Sequence, residues 1–516
     1  MMQKTTIKTI VIVGGGTAGW MCAAALCQHF SAQQFRNQPV KIRLIESSEL
    51  GTVGVGESTI PSIRRFYARL GLTDPQVIAA TKATCKLGIE FRNWRTVGSS
   101  FIHPFGLFGQ PVQDVPFIHC YLKAQQLGDT TPLAAYSLGV NMALQNKFCL
   151  PAPQPQSMLS IFDWALHFDA SRFAVLMREY SEARGVERTD AVISEVLSNA
   201  NGIEALVLQS GEVVKGDFYV DCTGFKGMLI EETLHSGYEN WSQWLFCDRA
   251  IAVQSEVSGA PVARTKATAH SAGWQWQIPL QHRHGNGYVY ASACISDDEA
   301  TATMLSHVSG QPLHNPRQFR FTPGRRKQSW VKNCVALGLA SGFLEPLEST
   351  SIALIETSID RLLQTFSTPA YDQADVDRFN EVTKLEYERI RDFIILHYKA
   401  NQRDDAPLWR QSRAMTLPSE LAAKMQAYQE HAQVPRLPWE IFGADSWLAL
   451  YDGLGVKPGA FDTRADSLPP QQLLTQLKQM RDYISRTVQA VPEHQEFLRR
   501  FCGYQSMPQV VAGASK

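Results

Sequence analysis

No stretch of this 516-residue chain approaches the roughly 18 uninterrupted apolar residues that a membrane-spanning helix needs. The N-terminal residues 1–9 are polar and lack the apolar heart of a secretory leader, so a cytoplasmic location is expected. Net charge is missing too: 49 Lys and Arg stand against 49 Asp and Glu. That balance leaves no global field to draw in nucleic acid or anionic membranes and favours a small or neutral substrate. The ten cysteines are scattered singly. Without a CxxC pair or a His/Cys cluster at zinc-ligand spacing, they read as reduced thiols, with no disulfide framework and no metal site. Internal repeats and low-complexity tracts are absent as well.

What is present is a 44% apolar chain long enough for a large core and more than one structural unit. Residues 9–13, TIVIV, are β-branched like a buried parallel strand and run into Gly14-Gly15-Gly16-Thr17-Ala18-Gly19. An apolar helix is expected over 20–30 and a second strand over 40–45, ending at Glu46. Gly14, Gly16 and Gly19 fill the GxGxxG positions, where missing side chains allow a tight turn, approach to a pyrophosphate and close helix packing. Thr17 and Ala18 would open the helix whose unpaired N–H groups face the phosphates, and Glu46 would accept from ribose hydroxyls. NAD and FAD both satisfy this pattern.

Further pieces of such a domain lie far along the chain. They are the strands around 191–208, the run into Asp221-Cys222-Thr223-Gly224, and residues 333–337 leading into Gly338. The nucleotide lobe is therefore discontinuous, with substrate-facing segments inserted, over 1–360. Beyond about 360 the pattern turns to long helices, at 374–400 and 469–488, after one at 352–367. Residues 361–516 are read as a mainly helical C-terminal lobe.

Four segments sharpen this. They are Gly273-Trp274-Gln275-Trp276-Gln277-Ile278-Pro279, the stretch Thr84-Cys85-Lys86-Leu87-Gly88, the run Glu345-Pro346-Leu347-Glu348-Ser349-Thr350, and Phe101-Ile102-His103-Pro104-Phe105. Together they resemble the flavin-dependent tryptophan halogenase family over most of residues 5–360. The resemblance implies an α/β fold with an α-rich second lobe: a glutathione-reductase-type FAD-binding fold interlocked with a helical substrate lobe. It implies FAD, used as FADH2, with O2 and chloride or bromide as co-substrates, and an electron-rich, indole-type aromatic as the halogen acceptor. No second GxGxxG unit for NADPH is evident, so reduced flavin would come from a separate, transient NADH-dependent flavin reductase. The oligomeric state stays open, a homodimer being one option.

The same resemblance assigns roles. Lys86 would hold or activate the hypohalous acid, as an ammonium donor or as an amine, and Glu348 would orient that species and accept the proton lost from the ring. On residues alone Lys86 passes for an exposed strand lysine, with Lys82 beside it. Flavin contacts are expected at Gly54, Gly56, Glu57, Ser58, Leu337 and Ser349, and a halide cradle at Thr350 and Ser351, where many family members have glycine at the latter position. His103 and Phe105 would wall the substrate. Trp274 and Trp276, alternate residues on one strand face, would bar it from the flavin. Residues 437–447, LPWEIFGADSW, show no evident grip for the charged end of tryptophan, which favours indole or a substituted indole. The competing readings are an aromatic monooxygenase or reductase, and a flavin-binding protein without catalysis.

Overall fold

The computed structural model describes residues 5–35, 38–49 and 56–503. Its first sheet has six strands, in the order Trp330–Val331, Cys334–Ala336, Phe218–Asp221, Thr9–Val13, Lys41–Glu46 and Glu187–Asp190. All neighbours pair in parallel except the first two. Ile10, Val11 and Ile12 are fully buried at its centre, as a two-sided parallel strand requires. The helix Thr17–Phe30 follows directly, and Trp20 N–H bonds the Gly16 carbonyl at 3.1 Å. It therefore starts inside the glycine motif, before residue 20.

A seven-stranded mixed sheet forms the second layer. Its order is Arg317–Arg320, Arg249–Ser255, His284–Tyr290, Gly273–Pro279, Thr265–His270, Gly88–Arg92 and Ser100–Pro104. A three-stranded antiparallel sheet has Ala165–Asp169 at its centre and Gly56–Ser58 and Thr84–Lys86 on its flanks, and its strand Gly56–Ser58 packs on the large sheet. Lys86 is the last residue of its strand, and Gly88–Arg92 carries the chain into the large sheet.

The long helices sit where their apolar spacing predicts, at Ser351–Thr365, Gln373–Lys399 and Pro470–Ala490. Asp372 and Asp375 form a capping box that fixes the start of the second. In the third, Leu473, Leu477, Met480, Ile484 and Val488 recur every three or four residues and are buried. They join the core built on Ile10 and Ile12, while Phe393 to Leu396 join the core of Trp274 and Trp276. Helices beyond residue 360 thus complete both layers. Among the described residues no helix is long and apolar enough to cross a membrane.

Candidate active site

The nucleotide cradle is built from backbone. Gly14 has φ +110, and a Cβ there would lie 2.3 Å from the Cys222 carbonyl oxygen. A Cβ on Gly19 would lie 1.8 Å from the Gly14 oxygen, so both positions admit only glycine. Gly16, by contrast, faces open space and caps the Thr17–Phe30 helix with no side-chain bond. The first helical N–H groups, at Thr17 and Ala18, thus keep their donors for an anion, the fit a dinucleotide pyrophosphate needs. Glu46 folds beneath Gly15 and accepts from Arg188 Nε at 2.6 Å and Trp20 Nε1 at 3.3 Å. Leu337 N–H donates to the Asp221 carbonyl at 2.9 Å, at the neighbouring strand ends. Ser58 Oγ lies 2.8 Å from Thr265 Oγ1. Gly54 lies outside the described residues, and of Gly56 and Glu57 only the backbone, in the strand Gly56–Ser58, is described.

Lys86 is fully buried. Its Nζ donates to the Thr59 carbonyl and to Ser349 Oγ, each at 2.9 Å, and lies 5.0 Å from the centre of the Phe105 ring. Both acceptors are neutral, so no carboxylate bonds the cation directly. Burial pushes the ammonium pKa down to about 7, and the nearby charge of Glu348 only partly opposes this. The amine therefore titrates near neutrality.

Glu348 is also fully buried. His103 Nδ1 lies 2.9 Å from its Oε2, and His397 Nε2 lies 2.8 Å from its Oε1. Burial pushes the carboxyl up, but the two imidazoles outweigh it and hold the pKa at about 2. His397 Nδ1 faces the Phe393 carbonyl at 2.9 Å. A carbonyl can only accept, so Nδ1 carries a hydrogen and His397 is oriented from behind. Among the described residues no group of His, Cys, Asp or Glu is arranged to hold a metal ion.

The two tryptophans share one face of Gly273–Pro279, with ring centres 6.0 Å apart. Trp274 Nε1 donates to Glu345 Oε2 at 2.6 Å, and Tyr398 donates to the same oxygen at 2.6 Å. Burial raises the Glu345 carboxyl to about 7 against the lowering effect of those two bonds. The Trp276 ring lies flat on the opposite strand, where a Cβ on Gly287 would come within 2.0 Å of it.

With this geometry in view, comparison with known proteins is decisive. The tryptophan halogenase family model matches residues 9–470. The chain belongs to the tryptophan halogenase family. It is a flavin-dependent halogenase, an enzyme. It is 52% identical to BrvH, a flavin-dependent halogenase from Brevundimonas sp. BAL3, with a TM-score of 0.92 over 96% of this chain and 99% of the other. A flavin-dependent halogenase from Xanthomonas campestris is 42% identical, with a TM-score of 0.92 and coverage of 98% and 100%. Tryptophan 6-halogenase ThaL of Streptomyces albogriseolus is 32% identical over 96% of this chain and 99% of its own.

Within this halogenase the expected residues converge unevenly. Lys86, Ser349, Glu348, His103 and Phe105 form one connected group. Ser349 holds a left-handed backbone, φ +59, and Thr350 caps the helix Ser351–Thr365 without a side-chain bond. The free N–H groups at that helix start, Ser351 included, therefore lie beside the residue that contacts Lys86.

Several residues at the site were not anticipated. His397, Phe393, Phe442, Trp447, Tyr398 and Glu345 come from the C-terminal helices, their connecting loop and the turn before Glu348. Phe393 and Phe442 stack at 3.9 Å with 16° between planes, and Trp447 meets Phe393 edge-on at 5.0 Å. The spacing Phe393-x-x-x-His397, one helical face, was the available signal.

Proposed function

We propose that this enzyme uses FADH2, O2 and chloride or bromide to halogenate a neutral, electron-rich aromatic molecule of the indole type. The observation that supports it best is the buried amine of Lys86, held by neutral acceptors above Phe105. An unpaired cation in the interior costs several kcal/mol, a sacrifice of stability that function explains. A reduced flavin held in a glutathione-reductase-type lobe would activate O2, which supplies the two oxidising equivalents that turn halide into an electrophilic halogen species.

The chain's own groups do the rest. Gly14, Gly16, Thr17, Ala18 and Gly19 would hold the pyrophosphate and Glu46 the ribose, while Gly54, Gly56, Glu57, Ser58, Leu337 and Ser349 would line the ring. Thr350 and Ser351 N–H groups offer a halide cradle at a positive helix end. Trp274 and Trp276, fixed by Glu345 and Gly287, would keep the aromatic substrate from the flavin, so that only a small oxidised halogen passes. Lys86 then receives it: an ammonium donates a hydrogen bond and polarises it, and the neutral form present near pH 7 can bond the halogen directly. Glu348 keeps the lysine's surroundings negative and orients the delivered species. His103 and Phe105, with Phe393 and Phe442, wall the acceptor ring.

The carboxylates near the C-terminal wall favour an uncharged acceptor. Glu440 is bonded by Lys424 and by the Leu437 N–H, and Asp445 by the Phe108 N–H. Glu440, bonded on both oxygens, is not left as a partner for an amino acid's ammonium. The electrons would come from a separate NADH-dependent flavin reductase. Incubating the protein with such a reductase, FAD, NADH and either halide, together with a panel of indoles and phenols, tests the reading by mass spectrometry. Halide-dependent products support it, whereas oxygenated products formed without halide would point to a monooxygenase.

A further inference from the structure

The two ring nitrogens of His103 differ sharply. Nδ1 faces Glu348 Oε2 at 2.9 Å, whereas Nε2 is buried and has no hydrogen-bond partner among the described residues. An ionised carboxylate only accepts, so Nδ1 carries the hydrogen and Nε2 of the neutral ring presents a bare lone pair. A buried polar atom without a partner is uncommon in a folded protein and calls for a role. The surroundings of this one are aromatic: Phe105, Phe393 and Phe442 lie 6.4, 5.6 and 5.9 Å from the imidazole centre. Phe105 is also the ring beneath the Lys86 amine. Phe105 thus neighbours both the imidazole that carries the bare nitrogen and the lysine.

Glu348, which the family resemblance would make the proton acceptor, is a poor one here. Each of its oxygens already faces an imidazole nitrogen, and those contacts hold its carboxyl far below the neutral range. His397, turned by the Phe393 carbonyl at Nδ1, faces Oε1 with its Nε2 at 2.8 Å. The arrangement resembles a carboxylate–imidazole dyad, in which the acid orients the ring and balances its charge while the ring moves the proton.

We propose that Nε2 of His103 is the base that removes the ring proton after the halogen has added. This deepens the halogenase reading above and rests on it. In the step, the carbon–hydrogen bond at the halogenated carbon breaks and its electron pair returns to the ring, restoring aromaticity. The proton passes to Nε2, and the imidazolium formed is balanced by the Glu348 carboxylate on Nδ1. Nothing is oxidised or reduced, and His103 returns its proton to water as product leaves.

The test uses the whole enzyme with its reductase and compares indole with ring-deuterated indole. His103→Phe keeps a flat aromatic wall, and His103→Asn keeps an N–H donor for Glu348; neither has a free imidazole lone pair. Both variants should lose kcat by on the order of 10²-fold with KM nearly unchanged. Both should also show a ring-deuterium isotope effect well above that of the wild type, since proton loss becomes rate-limiting. FAD binding and O2-driven flavin reoxidation, measured on the same samples, report folding, and if His103→Phe fails there, His103→Asn decides. Wild-type turnover with no new isotope effect in the folded variant would overturn the assignment alone. A wild-type protein that makes no halogenated product would overturn the parent reading and this assignment with it.

Discussion

Trp274 donates its indole N–H to Glu345 across 2.6 Å, and the Tyr398 hydroxyl reaches the same carboxyl oxygen at 2.6 Å. One buried acid from the segment that also carries Glu348 therefore fixes a tryptophan of the large sheet to the helix Gln373–Lys399. Burial raises this carboxyl to about 7, above its unfolded value near 4.3. The folded state then binds the extra proton, so the group's stabilisation is complete at acid pH and is lost as pH rises through about 7. Glu345→Gln should remove that dependence. Relative to wild type, the variant gains on the order of 1–3 kcal/mol between about pH 5 and pH 8. Denaturant midpoints at the two pH values check this, and equal differences at both would contradict it.

Gly287 is where the Trp276 ring rests. A Cβ would lie 2.0 Å from the ring, so Gly287→Ala forces the indole aside at a cost of about 1–3 kcal/mol. With the barrier displaced, less oxidised halogen should reach the substrate. The ratio of hydrogen peroxide released to product formed should rise several-fold, read by parallel peroxide and product assays. An unchanged ratio would remove Trp276 from the barrier.

Lys86 trades stability for function. Its pKa falls from near 10.4 in the unfolded chain to about 7 in the fold, so between those values the unfolded state binds more protons and stability rises with pH. Lys86→Met is nearly isosteric and removes the buried charge. The variant should be more stable than wild type by a few kcal/mol at about pH 6, and the gain should shrink towards about pH 10. Thermal melts across that range check the sign.

Substrate choice follows from Glu440, whose two oxygens are already bonded by Lys424 and the Leu437 N–H. Placing a zwitterion against this wall without new partners costs several kcal/mol per ion. Indole should show the higher kcat/KM than free L-tryptophan under matched FADH2 supply. A preference for tryptophan would reveal a gripping site elsewhere in the wall.

How much of this was legible in the chain depended on how local the determinant was. The strand, glycine turn and helix of residues 9–30 are set by neighbouring residues, and only the helix start moved, because its first turn lies inside the glycine motif. Lys86 and Glu348 were legible as motif members, but the burial that shifts their ionisation arises only when the strand end at Lys86 meets Thr59 and the turn at Ser349. His397 was illegible for a different reason. A histidine on an apolar helix face is an ordinary core residue until the Gln373–Lys399 helix docks and aims it at Glu348. The paired tryptophans showed their shared face through period two, yet neither Glu345 nor Gly287 announces itself as a partner. Nor did the polar–apolar spacing of the last helices show that they complete both cores.

The central claim is that Lys86 carries the halogen to the substrate and leaves the flavin's chemistry alone. The direct measurement is product formation and flavin reoxidation in one reaction with Lys86→Met, using indole, bromide or chloride, FAD and a flavin reductase. Halogenated product should fall by more than about 10²-fold, while FAD binding and O2-driven reoxidation, with its peroxide, stay near wild type. Halogenation at a near wild-type rate in this variant would contradict the account.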